Sequence, residues 1–426
     1  MIPAPEQEHA APPSSALLTE MLEALLRFGT QLLRAGDNAC QVRRLMGMVA
    51  RQMGFDALSM QLGLGSITAS GQRRSEGATL VREVGASGVN SWRIGALEEL
   101  ASTAPPGMTP HELATKLAAI EGAPPRYSVA QTGAAIGGSC AAFAFLNGCT
   151  GLEVAAAAVG GVIGQGLRSW LSRQRFNQYI IAALSALVAS SVYCLGAAVL
   201  RHAGFGIARY DVGLISSVLF LVPGFPLVTS LFDMLQHETA VALARLANAT
   251  MLLLNAALGV YVVIAVVGVS FDSAAPPALA APLLLMLRAL ASFAGACGFA
   301  ILYNSPCRTV RHVGLLTLIG NPLRLALRDA GLALAPATFV GALVVGLLES
   351  LARARGWMTE PHMEVTVPGV IMMVPGLYAF EALTLFNQGE VLTALRSLVL
   401  VVFVVGAMAM GLVVARLISR PEWLRE

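Results

Sequence analysis

Beyond residue 128 the chain is a succession of apolar runs about as long as a bilayer is thick, and no other feature limits its fold as strongly. A helix needs about 20 apolar residues to cross the hydrocarbon core, and runs of that length recur from residue 129 onwards, while the first 125 residues hold none. At 56% hydrophobic and 12% charged residues, with a mean hydropathy of +0.69, the chain is far too apolar for a soluble protein. The sequence therefore reads as a small N-terminal α+β cytoplasmic domain over 17–125 followed by an all-α membrane body. The opening residues 1–16, rich in proline and alanine, lack the basic-then-apolar order of a signal peptide and are expected to form a disordered tail.

Within the head, the leucine spacing of "LLTEMLEALLRFGTQLLRA" predicts a helix, with Asp37 and Asn38 as caps for a second one over "CQVRRLMGMVARQM". The segments "ALSMQLGLGSITAS" and "TLVREVGA", parted by a polar turn, predict a hairpin or small sheet. Short helices follow, the last started by Thr109-Pro110. Catalytic signatures are missing. "GLGSI" and "GASGV" miss the nucleophile-elbow spacing, and the single lysine, Lys116, has no glycine-rich loop before it, which excludes a P-loop. His111 reads as a surface residue of a first helical turn. The six cysteines are scattered without a CxxC pair, so they read as apolar packers rather than ligands. Neither a cofactor nor a metal is expected, nor an enzyme, nor a nucleic-acid partner; a net charge of +3 says little, since arginines near the membrane account for much of it.

The apolar runs predict about ten transmembrane helices, centred near residues 138, 160, 190, 220, 256, 292, 319, 343, 375 and 405. They fall into two halves, 126–272 and 273–420, on either side of the "APP" at Ala275. The halves look duplicated: Val222-Pro223-Gly224 returns 152 residues later as Val374-Pro375-Gly376, and "IGQGLR" ending at Arg168 returns 156 residues later as "IGNPLR" ending at Arg324. Asn147 is matched by Asn304. Five spans per repeat is an odd number, so the second copy starts on the opposite side and the predicted body is two inverted five-helix repeats. The arginine bias agrees. Arg173, Arg175, Arg308, Arg311, Arg353 and Arg355 fall on the side of the head, and both termini are placed in the cytoplasm.

Proline removes a backbone donor and displaces the carbonyl one turn earlier, and glycine admits unusual backbone angles, so each VPG interrupts its span in mid-membrane. Polar backbone freed there must face protein, water or substrate. Paired interruptions in two repeats point to a substrate site, with Pro223, Gly224, Pro375 and Gly376 at its centre; a pair of packing kinks is the plain alternative.

The segments "LLRAGDNACQVRRLM", "GVNSWRIGALEEL", "LFLVPGFPLVTSLFDML", "GFAILYNSPCRTVRHVGLLTLIGNPLR" and "TVPGVIMMVPGLYAFEALTLFNQGE" together resemble the bacterial threonine/serine exporter family, over about residues 17–418. That resemblance implies a multi-pass inner-membrane antiporter driving export of threonine, serine or other small metabolites with protons. Split members of the family are associated with dicarboxylates such as succinate, so an exporter of small dicarboxylates is the alternative. A membrane-anchored enzyme or sensor working through the head is the remote one. A homo-oligomer is compatible with either exporter.

No family motif assigns contacts, so the site candidates rest on the residues. Glu381, six residues past Pro375, is an acid inside a span and the candidate for proton coupling; its repeat mate is Thr229. Asp233 is the acid of the first half, with Leu385 as its mate. Arg168 and Arg324 offer forked contacts to a substrate carboxylate, or else act as interfacial anchors. Asn321, Asn147 and Asn304 offer amide contacts or interhelical hydrogen bonds. Glu153 and Glu349, near span ends, are expected to be solvated.

Overall fold

The computed structural model describes residues 14–85, 87–149, 151–206, 209–268 and 279–419. The "APP" at Ala275 and most of the tail lie outside them. The described residues fall into two compact units, one within Met1–Gly88 and Arg93–Pro124, the other within Val89–Trp92 and Pro125–Glu426.

The first unit starts with α1 (Ser14–Ala35), which begins inside the stretch read as tail, and α2 (Ala39–Met53). Asn38 caps α2 by accepting the Gln41 N–H at 2.8 Å. Three strands follow, β1 (Ala57–Leu62), β2 (Ser66–Arg73) and β3 (Glu76–Glu83), in an antiparallel sheet of order β1-β2-β3. The β2–β3 turn is two residues, Arg74 and Ser75, both at positive φ, the twist that suits a tight hairpin. Ile67 and Ala69 of β2 are buried, and α1 packs on β2 and β3. Beyond α3 (Ser91–Ser102), α4 (Pro110–Gly122) opens with a capping box between Thr109 and Glu112. The Thr109 N–H and hydroxyl hold the Glu112 carboxyl below its usual range. Glu121, at the far end of α4, takes both Arg27 and Gln31 of α1.

The second unit is helical throughout. Its first half holds α5 (Val129–Leu146), α6 (Gly151–Arg173), α7 (Gln178–His202), α8 (Tyr210–Ser216), α9 (Gly224–Leu235) and α10 (Thr239–Val267). Its second half repeats that order: α11 (Ala281–Leu302), α12 (Cys307–Asp329), α13 (Leu334–Ala354), α14 (His362–Val370), α15 (Gly376–Asn387) and α16 (Val391–Ser419). Six of these helices are long and apolar enough to cross a membrane, or eight if each bent pair, α8 with α9 and α14 with α15, is one span. Among the described residues eight of the ten expected spans thus meet the length and apolarity of a membrane-crossing helix. The two that fall short are repeat mates: α6 carries Gln165, Arg168 and Arg173, and α12 carries Arg308, Arg311, His312, Arg324 and Arg328.

Packing is duplicated as well as order. In each half the first helix packs on the second, the second on the third, and the third on the last. A side chain at Gly259 of α10 would strike the Ala183 carbonyl of α7 at 2.3 Å, and one at Gly411 of α16 the Phe339 carbonyl of α13 at 2.5 Å. Gly164 and Gly320 show the same relation, pressed on Ala189 and on Val345. Such approaches let helix backbones meet where apolar area alone gives little drive for association. The two first helices, α5 and α11, pack on each other and run antiparallel: Ala142 lies by Gly295 and Ala135 by Gly298. Ser139 donates to the Gly295 carbonyl across this contact at 2.9 Å.

Candidate functional site at the two helix breaks

Both interruptions have one backbone solution. Pro223 sits at φ −78°, ψ 57° and Pro375 at φ −81°, ψ 51°, each after an extended valine. The Gly224 N–H donates to the Val222 carbonyl at 2.8 Å and the Gly376 N–H to the Val374 carbonyl at 2.9 Å, so each proline is the centre of an inverse γ-turn. A short 3-10 turn, Leu219–Leu221 or Ile371–Met373, precedes each one. The chain changes direction by 61° at the first break and 51° at the second.

The breaks face each other. A Cβ on Gly224 would meet Ile371 at 2.6 Å, and one on Gly376 would meet Leu219 at 2.7 Å and Val222 at 3.0 Å. Between them, Phe143, Leu219, Val222, Phe299, Ile371 and Val374 enclose about 10 Å³, at the lower limit for one water and with no polar side chain to hold it. The centre is thus tight and apolar in this conformation. The half-helices also cross between halves, α8 packing on α15 and α9 on α14. A larger cavity of about 770 Å³ lies between α7 and α10, walled by Leu195 and Val266, which are 67% and 81% exposed. It belongs to the apolar outer surface.

The charged candidates flank the closed seam. In the first half Thr229 and Asp233 are fully buried, and both engage Arg245 of α10. The Arg245 Nε lies 3.3 Å from Asp233 Oδ2, and its Nη1 donates to Thr229 Oγ1 at 3.1 Å. The Thr229 hydroxyl in turn donates to the Phe225 carbonyl at 3.0 Å, one residue past Gly224. Sequence reading missed Arg245, although an arginine inside an apolar helix whose repeat mate is Ser397 was a readable signal. In the second half Glu381 is half-buried on α15, which packs on α8, the helix that carries Asp211. Glu364, in the first turn of α14, is 2% exposed and is a second acid the sequence did not nominate.

Arg168 and Arg324 are placed differently. Arg324 donates through Nε to Asn321 Oδ1 at 2.9 Å, and Asn321 donates to Ser292 of α11 at 2.8 Å, an interhelical hydrogen bond. Arg328, one turn on, donates to the Tyr378 hydroxyl in the first turn of α15 at 3.1 Å. Arg168 neighbours Tyr303, whose ring meets Phe225 edge-on at 5.4 Å, and its Nη1 is buried with no hydrogen-bond partner among the described residues. Asn147 returns to the Phe143 carbonyl, and Asn304 accepts the Arg126 N–H and donates to Asn90, so both act where a helix ends.

Glu153 and Glu349 are not solvated as expected; they are 4% and 1% exposed. The segments that enter α8 and α14 fold over them. Glu153 accepts the Arg209 N–H at 2.7 Å, and Glu349 takes Arg353 at 2.6 Å and His362 at 2.8 Å, pinning the chain where it leads into α8 and α14. Among the described residues no group of three or more His, Cys, Asp or Glu side chains is placed to hold a metal ion.

A bundle with membrane-capable helices, two mutually packed broken spans and buried charge beside them is a multi-pass membrane protein of transporter type. Comparison with known families supplies the particular kind. A family model described as a putative threonine/serine exporter matches residues 23–267, and one described as "Threonine/Serine exporter, ThrE" matches residues 288–418. The chain belongs to the threonine/serine exporter family. No solved structure matches it.

Proposed function

We propose that the protein exports threonine and serine across the bacterial inner membrane in exchange for protons, by alternating access of two inverted five-helix repeats. The observation that carries this reading is the reciprocal packing of the two VPG breaks, Gly224 on the second half and Gly376 on the first. A contact made of the same elements from both copies has two equivalent ways to open, one towards each side, and a closed seam between them is an occluded state. The antiparallel pairing of α5 with α11 supports inversion, since these helices occupy the same place in their repeats. Proton coupling is assigned to Glu381 with Asp211, because the half-buried acid stands on α15, which packs on α8, the helix that carries Asp211.

Counterflow tests the function directly. Full-length protein in liposomes loaded with unlabelled substrate should accumulate labelled threonine and serine, and do so uphill when a pH gradient is imposed. Accumulation of succinate but neither amino acid would replace this reading with dicarboxylate export.

Orientation has its own test. In a background with the six cysteines replaced, an impermeant thiol reagent added to intact cells should label Gly206→Cys and Leu332→Cys, but not Ser172→Cys or Ala354→Cys, all exposed positions. Labelling of Ala354→Cys from outside would contradict cytoplasmic termini with inverted halves.

A further inference from the structure

We infer that the buried Asp233–Arg245 pair is the receptor for the zwitterionic part of the substrate: Asp233 takes the ammonium, Arg245 takes the carboxylate, and each neutralises the other while the site is empty. This rests on the exporter reading above and assigns its substrate contacts.

The pair is not a requirement of the fold. The second half builds the same helix, break and long helix with Leu385 and Ser397 at the matching positions, 152 residues on, so the architecture stands without either charge. Both charges are present in one copy and both absent in the other, as expected of groups kept to answer each other. Desolvating two ions is costly, and replacing a buried pair with packed apolar side chains is often neutral or favourable. Ionisable groups inside a membrane protein therefore mark function more often than support.

The chemistry matches an α-amino acid. Asp233 is an acceptor only, and the Arg245 guanidinium is a planar fork of donors suited to a carboxylate. A zwitterion inserted between them exchanges one ion pair for two charge-assisted contacts with no net change in buried charge. A dicarboxylate would set one carboxylate against Asp233, so the same pair selects against succinate. Arg168 lacks this complement, having no carboxylate partner among the described residues. The pair is also joined to the moving part. From Arg245 a hydrogen-bonded path runs through Thr229 to the Phe225 carbonyl in the first turn after the break, so occupancy of Arg245 is felt where α9 begins.

Competition against labelled threonine counterflow, in liposomes containing the full-length protein, tests the assignment. The probes are L-threonine, 3-hydroxybutyrate, which lacks the ammonium, and threonine methyl ester, which lacks the carboxylate. In the parent, threonine should compete at least about 30-fold better than either analogue, the size of effect expected for one charge-assisted contact. Asp233→Leu combined with Arg245→Ser gives the first half the residues of the second and leaves no buried ion unpaired. This double variant should remain monodisperse and lose threonine affinity by about 100-fold or more, with the preference over both analogues falling towards one. Asp233→Asn, which keeps shape and a contact to Arg245, should lose the preference over 3-hydroxybutyrate while keeping that over the ester. If either variant keeps parental selectivity, the pair is structural and the inference falls alone. A parent that moves succinate and not threonine overturns the exporter reading, and this inference with it.

Discussion

Replacing Pro223 or Pro375 with alanine is expected to cut threonine export by an order of magnitude or more while the protein still reaches the membrane. Each proline stands at the centre of an inverse γ-turn and separates two half-helices bent by 61° and 51°. Alanine restores the missing N–H, and the adjoining 3-10 turn can then continue into the next helix with regular hydrogen bonding. A continuous helix cannot rock about the break, so the barrier between the two open forms rises; each tenfold loss of rate corresponds to about 1.4 kcal/mol. The two substitutions should act alike, because the breaks share their backbone angles and each packs on the other. Normal transport by both variants, measured as counterflow at matched protein levels, would reduce the breaks to architecture. Impairment in only one would place the moving part in one half.

The two breaks were legible because proline and glycine act through the backbone, and backbone rules need no neighbours. The repeat was legible for a related reason: VPG at an offset of 152 and IGxxLR at 156 are identities along the chain. Partners in space were not. Asp233 reads in the sequence as the lone acid of the first half's broken span, yet its charge is answered by Arg245 from the next helix. Glu349 reads as solvated because it stands near a helix end, but what buries it is the following loop, which returns His362 to its carboxylate. The second helix of each half is the less apolar one, for a reason that is also visible along the chain: Gln165, Arg168 and Arg173 interrupt the glycines and alanines of α6. The apolar lining of the seam depends on side chains from α5, α11 and the two break turns, a convergence that no local pattern encodes.

Glu381→Gln is expected to separate exchange from pumping. Thr229 and Glu381 are repeat mates, and their surroundings differ in the way coupling requires. Thr229 is held by Arg245, beside a carboxylate that is already neutralised, while Glu381 is half-buried on α15, which packs on α8, the helix that carries Asp211. Two carboxylates brought close together repel when both are ionised, and binding one proton relieves the repulsion. Because the pair is split between the halves, any motion that parts α8 from α15 removes that reason to hold the proton. Proton release is thereby tied to opening, which is what an exchanger must do to avoid a leak. Glutamine keeps the length and hydrogen-bonding capacity of Glu381 but fixes the uncharged form. The variant should exchange labelled for unlabelled threonine at equal concentrations close to the parental rate, yet lose accumulation driven by a pH gradient to the level of protein-free liposomes. Asp211→Asn should reproduce the defect, since it removes the repulsion from the other side. A Glu381→Gln protein that still concentrates threonine as steeply as the parent would move the coupling proton elsewhere, and Glu364, buried in the first turn of α14, would be the next carboxylate to replace.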